Sequence, residues 1–199
     1  MLLKNPFDVP RETKTKIEKY ICLLLEWNEK INLIGKSTIN DIWQRHIVDS
    51  LQLMLYIDND QKIIVDLGSG AGFPGIVLSM AGIKKIILIE KDKRKAAFLQ
   101  QAASLCENEV IIISERIENI RMVEADIITA RALAPLTQLL ELTIPLIREN
   151  TECLFFKGQR FEEEIKAANQ KFNMNYSVYP SITQEGAAII SIKELKRRR

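Results

Sequence analysis

Histidine is nearly absent from this chain of 199 residues: His46 stands alone. Cysteine is scarce too, with Cys22, Cys106 and Cys153 scattered and no CxxC pair among them. With no CxxC pair and a single histidine, the chain lacks the ligand spacing of a zinc site, so no metal is expected. They fit buried thiols in a reducing compartment. No apolar run reaches bilayer length, so no membrane partner is expected. The opening "MLLKNPFDVP" lacks an apolar core of signal-peptide type before its proline, which points to a cytoplasmic protein. Charge of one sign is also lacking, with a formal net of +2. Any affinity for nucleic acid would have to come from local clusters.

What is present suits a soluble globular chain, 47% hydrophobic and 27% charged. Residues 1–58 read as a helical appendage. Ile17, Tyr20, Ile21, Leu24 and Leu25 recur at three- and four-residue steps, one face of a helix. Gly35 breaks that pattern. One or two further helices follow through Ile57, with Asp49 or Ser50 as a cap between them.

From residue 62 the period changes, and 59–199 reads as one compact domain. "KIIVDL", "KKIILIE", "EVIIIS", "ADIITARA" and "TECLFFKG" are short apolar strands. They alternate with a helix beginning near Pro74 and with "KDKRKAAFLQQAASLC", the loop "ERIENI", "LTQLLELTIPLI" and "FEEEIKAANQKF". "NYSVYP" and "AAIISIKEL" add two final strands. Continuous apolar strands between helices imply an α/β fold, a Rossmann-like parallel sheet of seven strands covered on both faces.

The densest signal is "IIVDLGSGAGFPGIVLSM", residues 63–80. Gly70-Ala71-Gly72-Phe73-Pro74-Gly75 formally matches the dinucleotide fingerprint G-x-G-x-x-G. Register argues otherwise. The strand ends at Leu67, so the first structural glycine is Gly68, and the bulky Phe73 then takes the third-glycine place. The alternative is Asp66-x-Gly68-x-Gly70-x-Gly72, an acid two residues ahead of a glycine-rich turn. That pattern resembles the first motif of S-adenosylmethionine-dependent methyltransferases. This cofactor has no phosphate for a helix N-terminus to hold. Glycines let backbone approach its amino-acid end, and Asp66 can assist the ammonium side. Pro74 suits a first helical position. Glu90 ends the second strand 22 residues after Gly68, where a carboxylate accepts both hydrogens of a ribose diol. Glu90 supports a nucleoside cofactor without telling the two readings apart.

Seven phrases in order resemble one family, the RsmG (GidB) methyltransferases. They are "WNEKINLI" (27–34), "RHIVDSL" (45–51), "DLGSGAGFPGIVLS" (66–79), "IEKDKRKAAFL" (89–99), "ERIE" (115–118), "ITARALAPL" (128–136) and "FFKGQ" (155–159). The resemblance implies methyl transfer from S-adenosylmethionine to N7 of a guanine in 16S ribosomal RNA. The partner is then that RNA or the small ribosomal subunit, and the chain is expected to act as a monomer. It implies cofactor contacts from Gly68 and Phe73, from Ile117 and Glu118 beside the adenine, and from Arg131 at the mouth facing substrate.

Missing signatures agree with that chemistry. No cysteine follows a proline, so covalent methylation of pyrimidine C5 lacks its nucleophile. "TARALAPL" holds no Asn/Asp-Pro-Pro-aromatic clamp for an exocyclic amine. Guanine N7 already offers a lone pair and carries no proton, so positioning and exclusion of water suffice.

For RNA, Arg45, His46 and Arg131 are the candidate contacts, with the two arginines better suited to phosphate or base edges. His46 reads either as a local partner of Asp49 or as a base. Lys91, Lys93, Arg94 and Lys95, and the tail Lys196 to Arg199, read equally as phosphate contacts or as solvated ends. Trp27 and Trp43 read as packing residues. Three other functions stay open from sequence: a methyltransferase for a small molecule or protein, a nicotinamide-dependent reductase, and a non-catalytic nucleoside-binding module.

Overall fold

A computed structural model describes residue 6 and residues 8–121 and 123–198. Seven strands form one sheet in the order β3-β2-β1-β4-β5-β7-β6. The strands are β1 (Ile63–Leu67), β2 (Lys85–Ile89), β3 (Glu109–Ile113), β4 (Ile127–Ala130), β5 (Glu152–Lys157), β6 (Phe172–Pro180) and β7 (Ala188–Arg197). The first five are parallel, and β7 runs antiparallel to both β5 and β6. The all-parallel expectation therefore fails at the last two strands. Only residues 181–187 join β6 to β7, too few for the crossover a parallel pair needs.

Helices cover both faces, as the continuous apolar strands require. Ile64, Ile86 and Leu88 pack with Ile76, Val77, Phe98 and Leu99 from α3 (Gly75–Met80) and α4 (Lys93–Ala103). Val65, Leu67 and Ile128 pack with Leu136, Leu140 and Ile165 from α5 (Leu136–Thr143) and α6 (Phe161–Ala168). Helix α1 (Arg11–Asn28) lays Ile17, Tyr20 and Leu24, all fully buried, into the first of these clusters. The N-terminal helices thus share the core of the sheet they cover.

Several local expectations shift for physical reasons. Asp49 and Ser50 cap nothing: residues 43–55 form one continuous helical run, a π-helical stretch (Trp43–Val48) leading into α2 (Asp49–Leu51) and a 3₁₀ turn (Gln52–Leu55). Helix α5 ends at Thr143 because Pro145 has no amide to donate, and the chain tightens to a 3₁₀ turn over Ile144–Leu146. Pro74 lies one residue ahead of α3 and not inside it, yet its carbonyl already accepts from Leu78. "ERIENI" contains a single 3₁₀ turn, Ile117–Asn119. Helix α6 stops at Ala168, and Phe172 begins β6 with its ring fully buried. No helix among the described residues is long and apolar enough to cross a membrane.

Candidate active site

Strand order reverses between β1 and β4, which lie side by side while the chain leaves them toward opposite edges. Open α/β sheets bind ligands beyond the carboxyl ends of such strands. Leu67 pairs with Ala130 across the switch point. The next residues, Gly68 and Arg131, therefore emerge side by side, and both line a cleft of about 700 Å³.

The floor is the glycine turn. Gly68, Gly70 and Gly72 have φ of +65°, +56° and +89°, a region closed to most side chains. A methyl at Gly68 would stand 2.6 Å from Leu133 Cδ1, whereas one at Gly70 would meet nothing nearer than the Gly68 carbonyl at 3.8 Å. Gly70 thus faces open space, and Gly68 is roofed by Leu133. The backbone is fixed from beneath. The Gly68 and Ser69 amides donate to the Ile89 carbonyl, and the Gly70 amide donates to Glu90 Oε2 at 2.9 Å. Glu90 Oε1 accepts from the Asp92 amide at 2.8 Å. The carboxylate at the end of β2 therefore ties two turns together; it is buried and lies outside the cleft lining, though each oxygen keeps a further lone pair.

Asp66 differs from its sequence reading. It is fully buried under the turn and does not line the cleft. Oδ1 accepts from Thr129 Oγ1 at 3.1 Å, while Oδ2 has no hydrogen-bond partner among the described residues. Burial raises its pKa to about 7 against the lowering pull of Ser69, Thr129, the Gly75 backbone and Arg131. Direct contact with an ammonium group is closed to it in this conformation.

Phe73 leaves the turn into a cluster of rings. It is 5.6 Å from Tyr20, edge-on, and 4.9 Å from His46, stacked, with the Arg131 guanidinium 4.8 Å from its centroid. The Arg131 side chain is only 17% exposed. Its Nη1 donates to Asp49 Oδ2 at 3.0 Å and to the Arg45 carbonyl at 3.2 Å, and its Nη2 donates to His46 Nδ1 at 3.0 Å. Because Nδ1 accepts from a guanidinium, the proton of a neutral His46 sits on Nε2 and reaches Thr38 Oγ1 at 2.8 Å. Burial lowers the His46 pKa to about 4, with help from Arg131 and Arg45. The local His46–Asp49 bond expected from sequence does not form; both residues hold Arg131 instead.

Arg45 is exposed at the rim and contacts Gln184 at 3.4 Å. From the basic cluster, Lys95 alone lines the cleft, while Lys91, Lys93 and Arg94 face solvent. Ile117 and Glu118 lie just past β3, outside the cleft lining, with Glu118 paired to Arg116. The Trp27 indole donates to Gln101, and both tryptophans pack against the core. The tail runs away from the site: Lys196 and Arg197 finish β7, and Arg198 donates to the Phe172 carbonyl. Arg199 lies outside the described residues.

Two contributors escaped the sequence reading. Asp49 is the acceptor just described. Lys157, at the end of β5 and 8% exposed, donates to the Ala134 carbonyl at 2.7 Å and pairs with Glu164 at 2.8 Å. It ties down the loop that carries Ala132, a non-glycine residue at φ +52°, and Leu133. The phrase "FFKGQ" was its only sequence signal.

Comparison with known proteins agrees with this architecture. The chain is 49% identical over 189 residues to ribosomal RNA small subunit methyltransferase G of Gluconobacter oxydans, covering 95% of this chain and 97% of that one. It is 44% identical to the Paramagnetospirillum magneticum protein of the same name, with coverages of 96% and 93%. Among solved structures, magnesium protoporphyrin IX methyltransferase (ChlM) from Synechocystis PCC 6803 with bound SAM superimposes with a TM-score of 0.62 at 13% identity, covering 94% of this chain and 100% of that one. The fibrillarin/Nop5p complex matches with a TM-score of 0.60 at 13% identity, covering 75% and 81%. These two likenesses concern the fold alone. The profile of the GidB family, described as rRNA small subunit methyltransferase G, matches residues 13–191, and the chain belongs to that family.

Proposed function

We propose that this protein transfers a methyl group from S-adenosylmethionine to N7 of a guanine in small-subunit ribosomal RNA. The observation that carries the reading is the pairing of Leu67 with Ala130. It sets a left-handed glycine turn beside a partly buried, oriented arginine in one cleft. S-adenosylmethionine supplies, when bound, a methyl carbon on a sulfonium, to which the N7 lone pair bonds as the carbon–sulfur bond breaks and its electron pair stays on sulfur.

The residues present fit such a group. Open space beside Gly70 leaves room for its amino-acid end. Spare lone pairs on Glu90 suit a ribose diol. Ile117 and Glu118 extend the same edge toward an adenine, and Phe73 seals the turn from the helices behind it. Asp66 supports the turn from below and makes no direct contact.

Substrate enters across Arg131, with Arg45 at the rim. No general base is needed, because N7 carries no proton. His46, neutral and with Nδ1 committed to Arg131, orients that arginine. Rate acceleration then comes from positioning and from a cleft that excludes water. The test is to incubate the protein with labelled S-adenosylmethionine and small-subunit rRNA and digest to nucleosides. Label is expected in 7-methylguanosine. Label confined to 5-methylcytidine or N6-methyladenosine refutes the reading.

A further inference from the structure

Asp49 serves two parts of the molecule with its two oxygens. Oδ2 accepts from Arg131 at 3.0 Å. Oδ1 accepts from Thr183 Oγ1 at 2.6 Å and from Gln52 Nε2 at 2.8 Å. The fully buried Gln52 in turn accepts the Ile182 amide at 3.1 Å. One carboxylate, itself in the helical run 43–55, thereby joins the arginine after β4 to the loop between β6 and β7. Thr183 and Gln184 of that loop line the same cleft as the glycine turn.

Counting donors on Arg131 shows what this fixes. A guanidinium has five N–H groups. Three are engaged, by Asp49, the Arg45 carbonyl and His46. The Nε hydrogen and one Nη2 hydrogen have no acceptor among the described residues. Held by three acceptors and by the Phe73 ring, the plane cannot turn to find others. Two fixed donors at the mouth suit the carbonyl oxygen O6 of a guanine, which leaves the N7 lone pair free to take the methyl group. Charge matters as well. Methylation at a ring nitrogen leaves the base positive, and an arginine without its carboxylate would repel that charge at short range.

Building on the methyl-transfer reading above, we propose that Asp49 is a positioning residue for the reaction. It sets the plane of Arg131, offsets its charge, and couples it to the 181–187 loop that borders the incoming base.

Asp49→Asn is the sharp test. The amide cannot accept from Arg131, Thr183 and Gln52 together, because one of its two ends is a donor. We expect single-turnover methylation of rRNA to slow at least tenfold, with the affinity for S-adenosylmethionine changed less than threefold. ¹⁵N spectra of the Arg131 guanidinium supply a readout that loss of stability alone would not move. In the wild-type protein its two Nη signals should be resolved by hindered rotation, and in Asp49→Asn they should average. A rate within twofold of wild type overturns the proposal. So does a slowed variant whose Arg131 signals stay resolved. Averaged Nη signals in the folded wild-type protein overturn it without any mutant. A wild-type protein that methylates no guanine defeats the functional reading first, and this proposal with it. An active wild type with an unaffected variant defeats this proposal alone.

Discussion

The phenol of Tyr20 donates a hydrogen bond to the carbonyl of Ala71, so a helix of the N-terminal segment grips the glycine turn of the sheet. Tyr20 is fully buried, and its ring meets both Phe73 and Phe98. Tyr20→Phe keeps the packing and removes only the donor. Removing a buried hydrogen bond costs about 1–2 kcal/mol. We expect denaturant unfolding to show that loss, and calorimetry to show weaker S-adenosylmethionine binding. Unchanged affinity would mean that the turn holds its shape without the helix.

Gly68 faces two separate constraints, a φ of +65° and the Leu133 methyl over its Cα. Gly68→Ala is expected to lower cofactor affinity at least tenfold. Leu133→Ala in the same chain should recover part of that loss by making room. It cannot recover all of it, because the left-handed backbone still disfavours a Cβ. Full recovery would show that crowding alone forbids a side chain there.

How the site could be read from sequence follows from the span of its contacts. The glycine turn and Glu90 belong to strand–turn units of a few residues each, so local pattern revealed them. Register placed the strand end at Leu67, and the structure agrees. Asp49 looked like a cap because no local signal distinguishes a capping carboxylate from one that reaches a distant arginine. Its partners Arg131 and Thr183 lie 82 and 134 residues away. Lys157 was silent for the same reason, since its acceptor carbonyl on Ala134 is set by the pairing of β4 with β5. Asp66 was placed in the right turn but at the wrong depth. Periodicity locates a strand end and does not say whether the last polar residue points into the cleft or under it.

Asp66 makes a pH signature. Its pKa is raised by burial from an ordinary 3.8 to about 7. The folded state therefore binds a proton that the unfolded state has released between those values. Stability from this group is full below about pH 4 and is lost as pH rises through 7. Asp66→Asn cannot ionise, so it should be more stable than wild type at pH 8, by at most roughly 4 kcal/mol from the size of the shift. The difference should shrink toward pH 4. Melting curves across that range decide it, and a pH-independent difference would assign the effect to packing.

His46 gives the opposite sign. Its pKa falls from 6.5 to about 4, so the folded state excludes a proton that the unfolded state accepts. Its contribution is complete above about pH 6.5 and is lost as pH falls toward 4. Methyl transfer should show no histidine limb between pH 6 and 8. ¹⁵N chemical shifts should report a neutral ring with its proton on Nε2. A limb near pH 6.5 that disappears in His46→Gln would make the histidine a titrating participant and not a fixed acceptor for Arg131.

The last expectation concerns RNA capture and separates the rim from the tail. Arg45 is exposed beside the cleft, and its side chain hydrogen-bonds only Gln184 among the described residues. Strand β7 begins at Ala188, beside Lys157 at the cleft end of β5, and runs antiparallel to it. Nine residues at about 3.3 Å each carry Arg197 on the order of 30 Å from that end. There Arg197 pairs with Glu141, and Arg198 donates to the Phe172 carbonyl. These contacts hold the tail against α5 and the start of β6, away from the cleft. Removing one cation that binds an RNA phosphate should flatten the slope of log affinity against log salt by about one. Arg45→Ala is therefore expected to flatten the slope by about that amount while cofactor affinity holds. Truncation after Leu195 should leave the slope unchanged and lower the melting temperature, since it strips the end of β7 from its partner. If the truncated chain binds RNA with a flatter slope, the ribosomal surface reaches much further around the sheet than the cleft suggests.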